Sequence, residues 1–247
     1  MKKKIYTKKK FEQVLENQAY KMSKDKKLIK SAHKIIEHAD KYMYIHQTKF
    51  FGENSLNLPE DLFQIQDIIY DIKPDFVIEI GFAWGGTSLF IASVLNNLGK
   101  GKLIGLDIFV PKDLRKRLLN KGKLSKRIKI IEGSSISTDT YTKIFKLVNK
   151  KKVIVILDSD HTEKHVLKEL NMYSKLVSKN SYIICCDTIL NFIKPNQIRK
   201  RDWNKNNNPM GAVKKFLKSS KNFVIDKKIN NKLLLSCNPS GFLKKVK

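Results

Sequence analysis

A chain of 247 residues with 41% apolar content suits one well-buried domain with a small extension, and excludes both two large domains and intrinsic disorder. Lys and Arg total 50 against 23 acids, a formal charge of +27. The lysines are dispersed and not interleaved with stacking aromatics, so a lysine-heavy surface is expected and a nucleic-acid partner is not.

The three cysteines, with Cys185 and Cys186 adjacent, form neither a disulfide framework nor a zinc knuckle. The basic start Met1-Lys2-Lys3-Lys4 is followed by no apolar signal region, and runs such as Val153–Leu157 are too short to span a bilayer. The expected home is the cytoplasm, with peripheral contact at the inner face of the plasma membrane open to the lysine-rich start.

Residues 1–47 carry helical periodicity, with Phe11, Val14, Leu15 and Ala19, then Leu28, Ala32, Ile35, Ile36 and Ala39. They read as a helical cap or an oligomer contact. Residues 1–58 are taken as an N-terminal extension and 59–247 as the main domain, whose first helix opens at Pro59. From Pro74 the pattern changes to short β-branched runs alternating with amphipathic helices: Phe76–Ile80, Leu103–Asp107, Ile128–Ile131, Val153–Leu157 and Ser181–Cys185. Near-continuous apolar strands separated by helices predict a parallel sheet covered on both faces, hence an α/β domain. After a helix at Pro209, Phe223–Ile225 and Leu233–Ser236 read as two edge strands joined at Asn230-Asn231.

In such a sheet, ligands lie beyond the carboxyl ends of the strands. The first run ends in Glu79-Ile80-Gly81-Phe82-Ala83-Trp84-Gly85-Gly86-Thr87-Ser88. Glycines admit close backbone approach and the next helix offers free N–H groups. The spacing from Gly81 to Gly85 is wider than in the dinucleotide fingerprint. With Glu79 ahead of it, the loop suits a cofactor without a pyrophosphate whose amino-acid end bears an ammonium, pointing to S-adenosylmethionine. Asp107, closing the second run, is placed to accept from ribose hydroxyls, and Ser134 in Glu132-Gly133-Ser134-Ser135 to flank an adenine.

The fourth and fifth runs end in Asp158-Ser159-Asp160-His161-Thr162 and Cys186-Asp187-Thr188, turns expected to lie side by side. Asp158 or Asp160 with Asp187 would give oxygen ligands suited to Mg²⁺, able to lower the pKa of an acceptor hydroxyl, with His161 or a neighbouring Asp taking its proton. Alternatively one Asp caps the helix near Thr162 while another orients the cofactor. His165 reads as packing or hydrogen bonding, and Trp203 as a lid over the acceptor.

These segments resemble the cephalosporin hydroxylase and rhamnosyl O-methyltransferase family of class I methyltransferases. The resemblance rests on Ile45-His46-Gln47-Thr48, Leu58-Pro59-Glu60-Asp61-Leu62, Glu79 to Ser88, Leu157 to Thr162 with His165-Val166-Leu167, Asp187-Thr188, and Asn238-Pro239-Ser240-Gly241-Phe242-Leu243. It implies a Rossmann-like seven-stranded methyltransferase fold, S-adenosylmethionine, and a divalent metal, usually magnesium, with the metal carboxylates falling on Asp160 and Asp187. Cys186 stands where the family often has a first acid, and a thiol is a poor magnesium ligand. The family's acceptors imply a sugar-containing or small-molecule hydroxyl, as on an envelope glycolipid. A nucleic-acid binder or RNA methyltransferase, a natural-product tailoring enzyme and a scaffold that has lost its metal chemistry are the rival readings.

Overall fold

The computed structural model describes residues 7–194 and 201–247. Helices α1 (Lys8–Met22) and α2 (Lys26–Asp40) come first, followed by a two-stranded hairpin of β1 (Lys49–Phe50) and β2 (Glu53–Asn54). The remainder alternates: α3 (Pro59–Ile72), β3 (Phe76–Ile80), α4 (Gly86–Asn97), β4 (Lys102–Asp107), α5 (Lys112–Leu119), β5 (Ile128–Glu132), α6 (Thr138–Val148), β6 (Val153–Leu157), α7 (Glu163–Tyr173) and β7 (Tyr182–Cys185). Helix α8 (Pro209–Ser219), β8 (Phe223–Ile225), α9 (Lys227–Lys232) and β9 (Phe242–Lys245) complete it.

Local chemistry sets the boundaries. Pro59 and Pro209 occupy first helical turns, where a missing N–H costs nothing. Thr7, Asp25 and Asn208 cap α1, α2 and α8 through side-chain oxygens.

The seven-stranded sheet runs β5-β4-β3-β6-β7-β9-β8. Strands β5 to β7 are parallel, and β9 is antiparallel to both β7 and β8. Alternation along each strand divides the core into two layers. Val77, Leu103, Ile154, Ile156 and Ile184 face α3, α4 and α5, whereas Ile78, Ile80, Ile104, Val155 and Ile183 face α6, α7 and α8. Such fully buried Ile and Val side chains each stabilise the fold by about 1.5–3 kcal/mol.

The C-terminal region corrects one expectation. Asn230 and Asn231 lie inside α9, capped by Asp226, and Leu233–Ser236 is not a strand; β9 lies further on, at Phe242–Lys245. The partner of β8 is thus a later segment that enters the sheet beside β7.

Helix α1 buries no residue, leaves Phe11 and Leu15 half exposed, and ties to α9 through a Glu16–Lys228 ion pair. Helix α2 buries Ala32 and Ile36, and Ile36 packs against Leu58, Ile189, Ile193 and Cys237. No helix among the described residues is long and apolar enough to cross a membrane.

Candidate active site

The strand order reverses between β3 and β6, because the chain runs outward from β3 through β4 to β5 and returns beside β3. A crevice opens over the carboxyl ends at that point. A cavity of about 330 Å³ lies there, lined by Gly81, Asp107, Ser134, Asp158 and Asp160, together with Ser135, His165, Arg201 and Trp203.

Gly81 is required by both conformation and space. Its φ is +82°, and a Cβ there would stand 2.3 Å from the Asp158 carbonyl oxygen. Gly85, at φ +81°, is the N-cap residue ahead of α4. Gly86 packs against the β1–β2 hairpin, where a Cβ would come within 2.5 Å of the Asn54 backbone. Thr87 donates to the Ser55 carbonyl at 2.6 Å and accepts from Asn57 Nδ2 at 3.1 Å. Gly86 and Thr87 therefore support the loop from behind rather than lining the cavity.

Glu79 shares its face of the sheet with Val77, so it points toward α4, where the Ser88 hydroxyl donates to its Oε2. It is 2% exposed. Burial pushes its pKa up to about 8, with the nearby Asp107 charge adding to the rise and the Ser88 hydrogen bond opposing it. Among the described residues no cation pairs with it. Asp107 accepts the Ala83 N–H at 3.1 Å, joining the glycine loop to β4.

The far wall is acidic. Asp158, His161 and Asp187 present ligand atoms that all lie within 4.8 Å of one another, and His161 Nε2 sits 3.2 Å from Asp187 Oδ2. Burial raises the Asp158 pKa well above the usual range, reinforced by the charges of Asp187 and Glu79, while a hydrogen bond from Asn57 opposes the shift. Two carboxylates and an imidazole in mutual reach, one carboxyl destabilised by its neighbours, fit a divalent cation.

Asp160 lines the cavity outside that trio. Its Oδ1 accepts the Thr162 N–H at 2.7 Å ahead of α7. Although burial works the other way, the Thr162 hydrogen bonds and the neighbouring His165 and His161 hold its carboxyl below the ordinary range. Cys186 is buried in the layer containing Ile154 and Ile184, and burial drives its thiol pKa well up. It packs as a small apolar group and offers no thiolate.

The structure adds Asn57, which the sequence did not single out, and gives partners to His165 and Trp203, which it did. Asn57 bridges Thr87 and Asp158. His165 Nε2 lies 3.0 Å from Ser135 Oγ and 3.1 Å from the fully buried Glu169. Trp203 packs edge-on to His161 with ring centroids 4.8 Å apart, and the Arg201 guanidinium stands 4.6 Å from the Trp203 centroid. The polar stretch around Trp203, residues 194–208, falls partly on 195–200, outside the described residues. Nothing in the local sequence pattern marked Asn57.

The profile of the family described as Rhamnosyl O-methyltransferase/CmcI matches residues 42–246. The chain belongs to this family. A rhamnosyl O-methyltransferase of Mycobacterium leprae (strain TN) is 32% identical over 147 residues, covering 58% of this chain and 62% of that protein. The chain spans about three fifths of the length of the curated relatives it matches. A solved structure of CmcI with Mg and SAM has a TM-score of 0.58 at 16% identity, covering 82% of this chain and 78% of that one. An O-methyltransferase from Bacillus cereus in complex with SAH gives 0.52 at 13% identity, covering 88% and 91%. These two structures share the fold with the family member described here.

Proposed function

We propose that the protein is an S-adenosylmethionine-dependent O-methyltransferase, assisted by a divalent cation, whose acceptor is a sugar hydroxyl of a glycan or glycolipid. One observation carries the reading: Asp158, which lines a nucleoside-sized cavity at the switch point of the sheet, shares a cluster of potential metal ligands with His161 and Asp187. Membership of the family, with relatives named as rhamnosyl O-methyltransferases, supports a sugar acceptor.

In this reading Glu79 pairs with the cofactor's ammonium and Asp107 accepts from its ribose. Gly81 lets the backbone close on the sulfonium end, and Ser134 with Ser135 flanks the adenine. Asp158 and Asp187 supply the hard oxygen ligands that a cation such as Mg²⁺ prefers. The ion, when bound, would lower the pKa of an acceptor hydroxyl. His161, anchored on Asp187, takes the acceptor proton, and Trp203 closes over the acceptor beside it. Asp160 shapes the turn that presents His161. Most of the catalytic gain comes from holding methyl donor and oxygen nucleophile in line.

The basic α1, with Phe11 and Leu15 exposed among lysines, suits the anionic inner face of a membrane where such acceptors are made. Calorimetry with S-adenosylhomocysteine, with and without Mg²⁺, followed by methyl transfer from labelled cofactor to rhamnosyl glycosides, tests the proposal. Saturable cofactor binding and cation-dependent labelling of the sugar are expected. Absence of cofactor binding under both conditions would refute the enzyme reading.

A further inference from the structure

Asp187 poses a structural problem that its own strand does not solve. It leaves β7 with φ +55°, in the left-handed region where few non-glycine residues settle, although aspartate tolerates it better than most. From that conformation its carboxylate meets His161 and Asp158. A backbone group outside the turn, or a side chain, has to hold it there.

The holder is Asn238. Its side-chain carbonyl accepts the Asp187 N–H at 2.9 Å, and Asn238 itself is fully buried. The Asn238 N–H donates to Ser236 Oγ at 2.9 Å, and the Ser236 hydroxyl donates to Asp61 Oδ1 at 2.5 Å. The other Asp61 oxygen accepts the Cys237 N–H at 2.7 Å. On the far side of the turn, the Thr188 hydroxyl donates to the Pro239 carbonyl at 2.7 Å and the Ile189 N–H to the Cys237 carbonyl at 3.0 Å. Gly241 lies so close beneath β7 that a Cβ would come 2.1 Å from the Cys185 carbonyl oxygen. Segment 236–241 therefore grips the turn along its length, and Asp61 of α3 grips the segment.

The choice of asparagine is itself informative. Its Nδ2 is buried with no hydrogen-bond partner among the described residues. An amide left in that state is costly, and an aliphatic side chain of the same size would avoid the cost. Asparagine is worth that penalty only if its carbonyl is needed.

We propose that Asn238 is a positioning residue of the cation centre: its carbonyl fixes Asp187 in the left-handed turn and so aims the carboxylate at Asp158 and His161. Ser236 and Asp61 in turn fix Asn238. This inference rests on the cation reading given above. Groups that orient metal ligands from behind typically change affinity by roughly 10–100-fold when removed.

The test is a Mn²⁺ titration of the full chain, followed by electron paramagnetic resonance, with S-adenosylhomocysteine affinity and thermal unfolding measured alongside. Asn238→Leu, which keeps the volume and loses the acceptor, is expected to weaken Mn²⁺ binding roughly 10–100-fold while cofactor affinity holds. Asn238→Asp, which keeps the acceptor, is expected to bind at least as tightly as the native chain. Ser236→Ala is expected to lose affinity in the same direction and to a smaller degree; it decides the matter if Asn238→Leu does not fold. Asn230→Ala is the control, because Asn230 Oδ1 holds the Ser240 N–H at 2.7 Å on the same segment without touching Asp187. Native Mn²⁺ affinity in Asn238→Leu, or an equal loss in Asn230→Ala, would overturn the assignment. Mn²⁺ affinity unchanged in Asp187→Asn would remove the cation reading itself, and this inference with it.

Discussion

Replacing Glu79 by Gln removes a charge while keeping the shape of the side chain. In the ligand-free protein burial keeps this carboxyl protonated up to about pH 8. At pH 7 roughly nine molecules in ten then carry the neutral acid, and ionising it costs about 1.4 kcal/mol. Pairing with an ammonium requires the ionised form, so cofactor binding at pH 7 should release about 0.9 proton per site. A hydrogen bond to a charged group contributes roughly 1.5–3 kcal/mol. After subtraction of the ionisation cost, Glu79→Gln should weaken S-adenosylhomocysteine binding by at most roughly 15-fold at pH 7, and by more at pH 8. Isothermal calorimetry in two buffers of different ionisation enthalpy counts the protons directly. The native chain should show a buffer-dependent heat and affinity rising roughly tenfold between pH 6 and pH 7; the variant should show neither. A buffer-independent heat in the native chain, or an unchanged pH profile in Glu79→Gln, would refute the reasoning.

The same burial makes stability depend on pH. Asp61, with its pKa raised to about 7 chiefly by burial, and Glu79, at about 8, keep protons in the folded state that the unfolded chain gives up near pH 4. The folded state then binds more protons across that interval, so ligand-free stability falls as pH rises from about 5 to 8. Denaturant melts at the two ends should show this slope, and Glu79→Gln should flatten it; equal slopes in the two proteins would contradict the assignment. Gly81→Ala combines positive φ with a 2.3 Å clash and should cost roughly 2–5 kcal/mol by chemical denaturation. Gly99→Ala, at φ +68° with nothing within 4 Å, should cost only about 1–2 kcal/mol, and equal losses would show that the Asp158 contact is unimportant. Trp203→Ala should raise the acceptor KM roughly 2–10-fold, since it removes an aromatic wall beside His161. An unchanged KM would place the acceptor elsewhere.

The parallel half of the sheet was legible because strands buried on both faces read as unbroken apolar runs. Phe76–Ile80 and Val153–Leu157 coincide with β3 and β6 residue for residue. The end of the chain misled because its signals compete. Leu233–Ser236 has strand-like composition, but Asp226 caps a short helix ahead of it, and Asp61 and Asn238 hold the following segment against the β7 turn. Those are contacts across more than 50 residues, and no local period records them. The same holds at the site. The acids after β6 and β7 could be named from their place at strand ends, but not which oxygen each would commit. Asp160 spends one on the Thr162 amide, and His161 stands nearer to Asp158 and Asp187. Asn57 had no periodic or motif signal, and Asn238 opened a segment that carries the family resemblance without any sign of its role, because the importance of both lies in backbone and side-chain groups that only the folded chain brings near.

The placement of β9 bears on how the protein comes to be made. During synthesis β7 emerges long before residues 242–245, so its outer edge stays unpaired while α8, β8 and α9 are produced. An open strand edge invites pairing with other chains, and closing it requires a long loop to be ordered first. The segment that seals this edge is continuous with the one holding Asp187. The nascent chain therefore stops being sticky and becomes able to assemble its acidic trio in the same late step, which makes ligand binding at the trio a readout of completed folding.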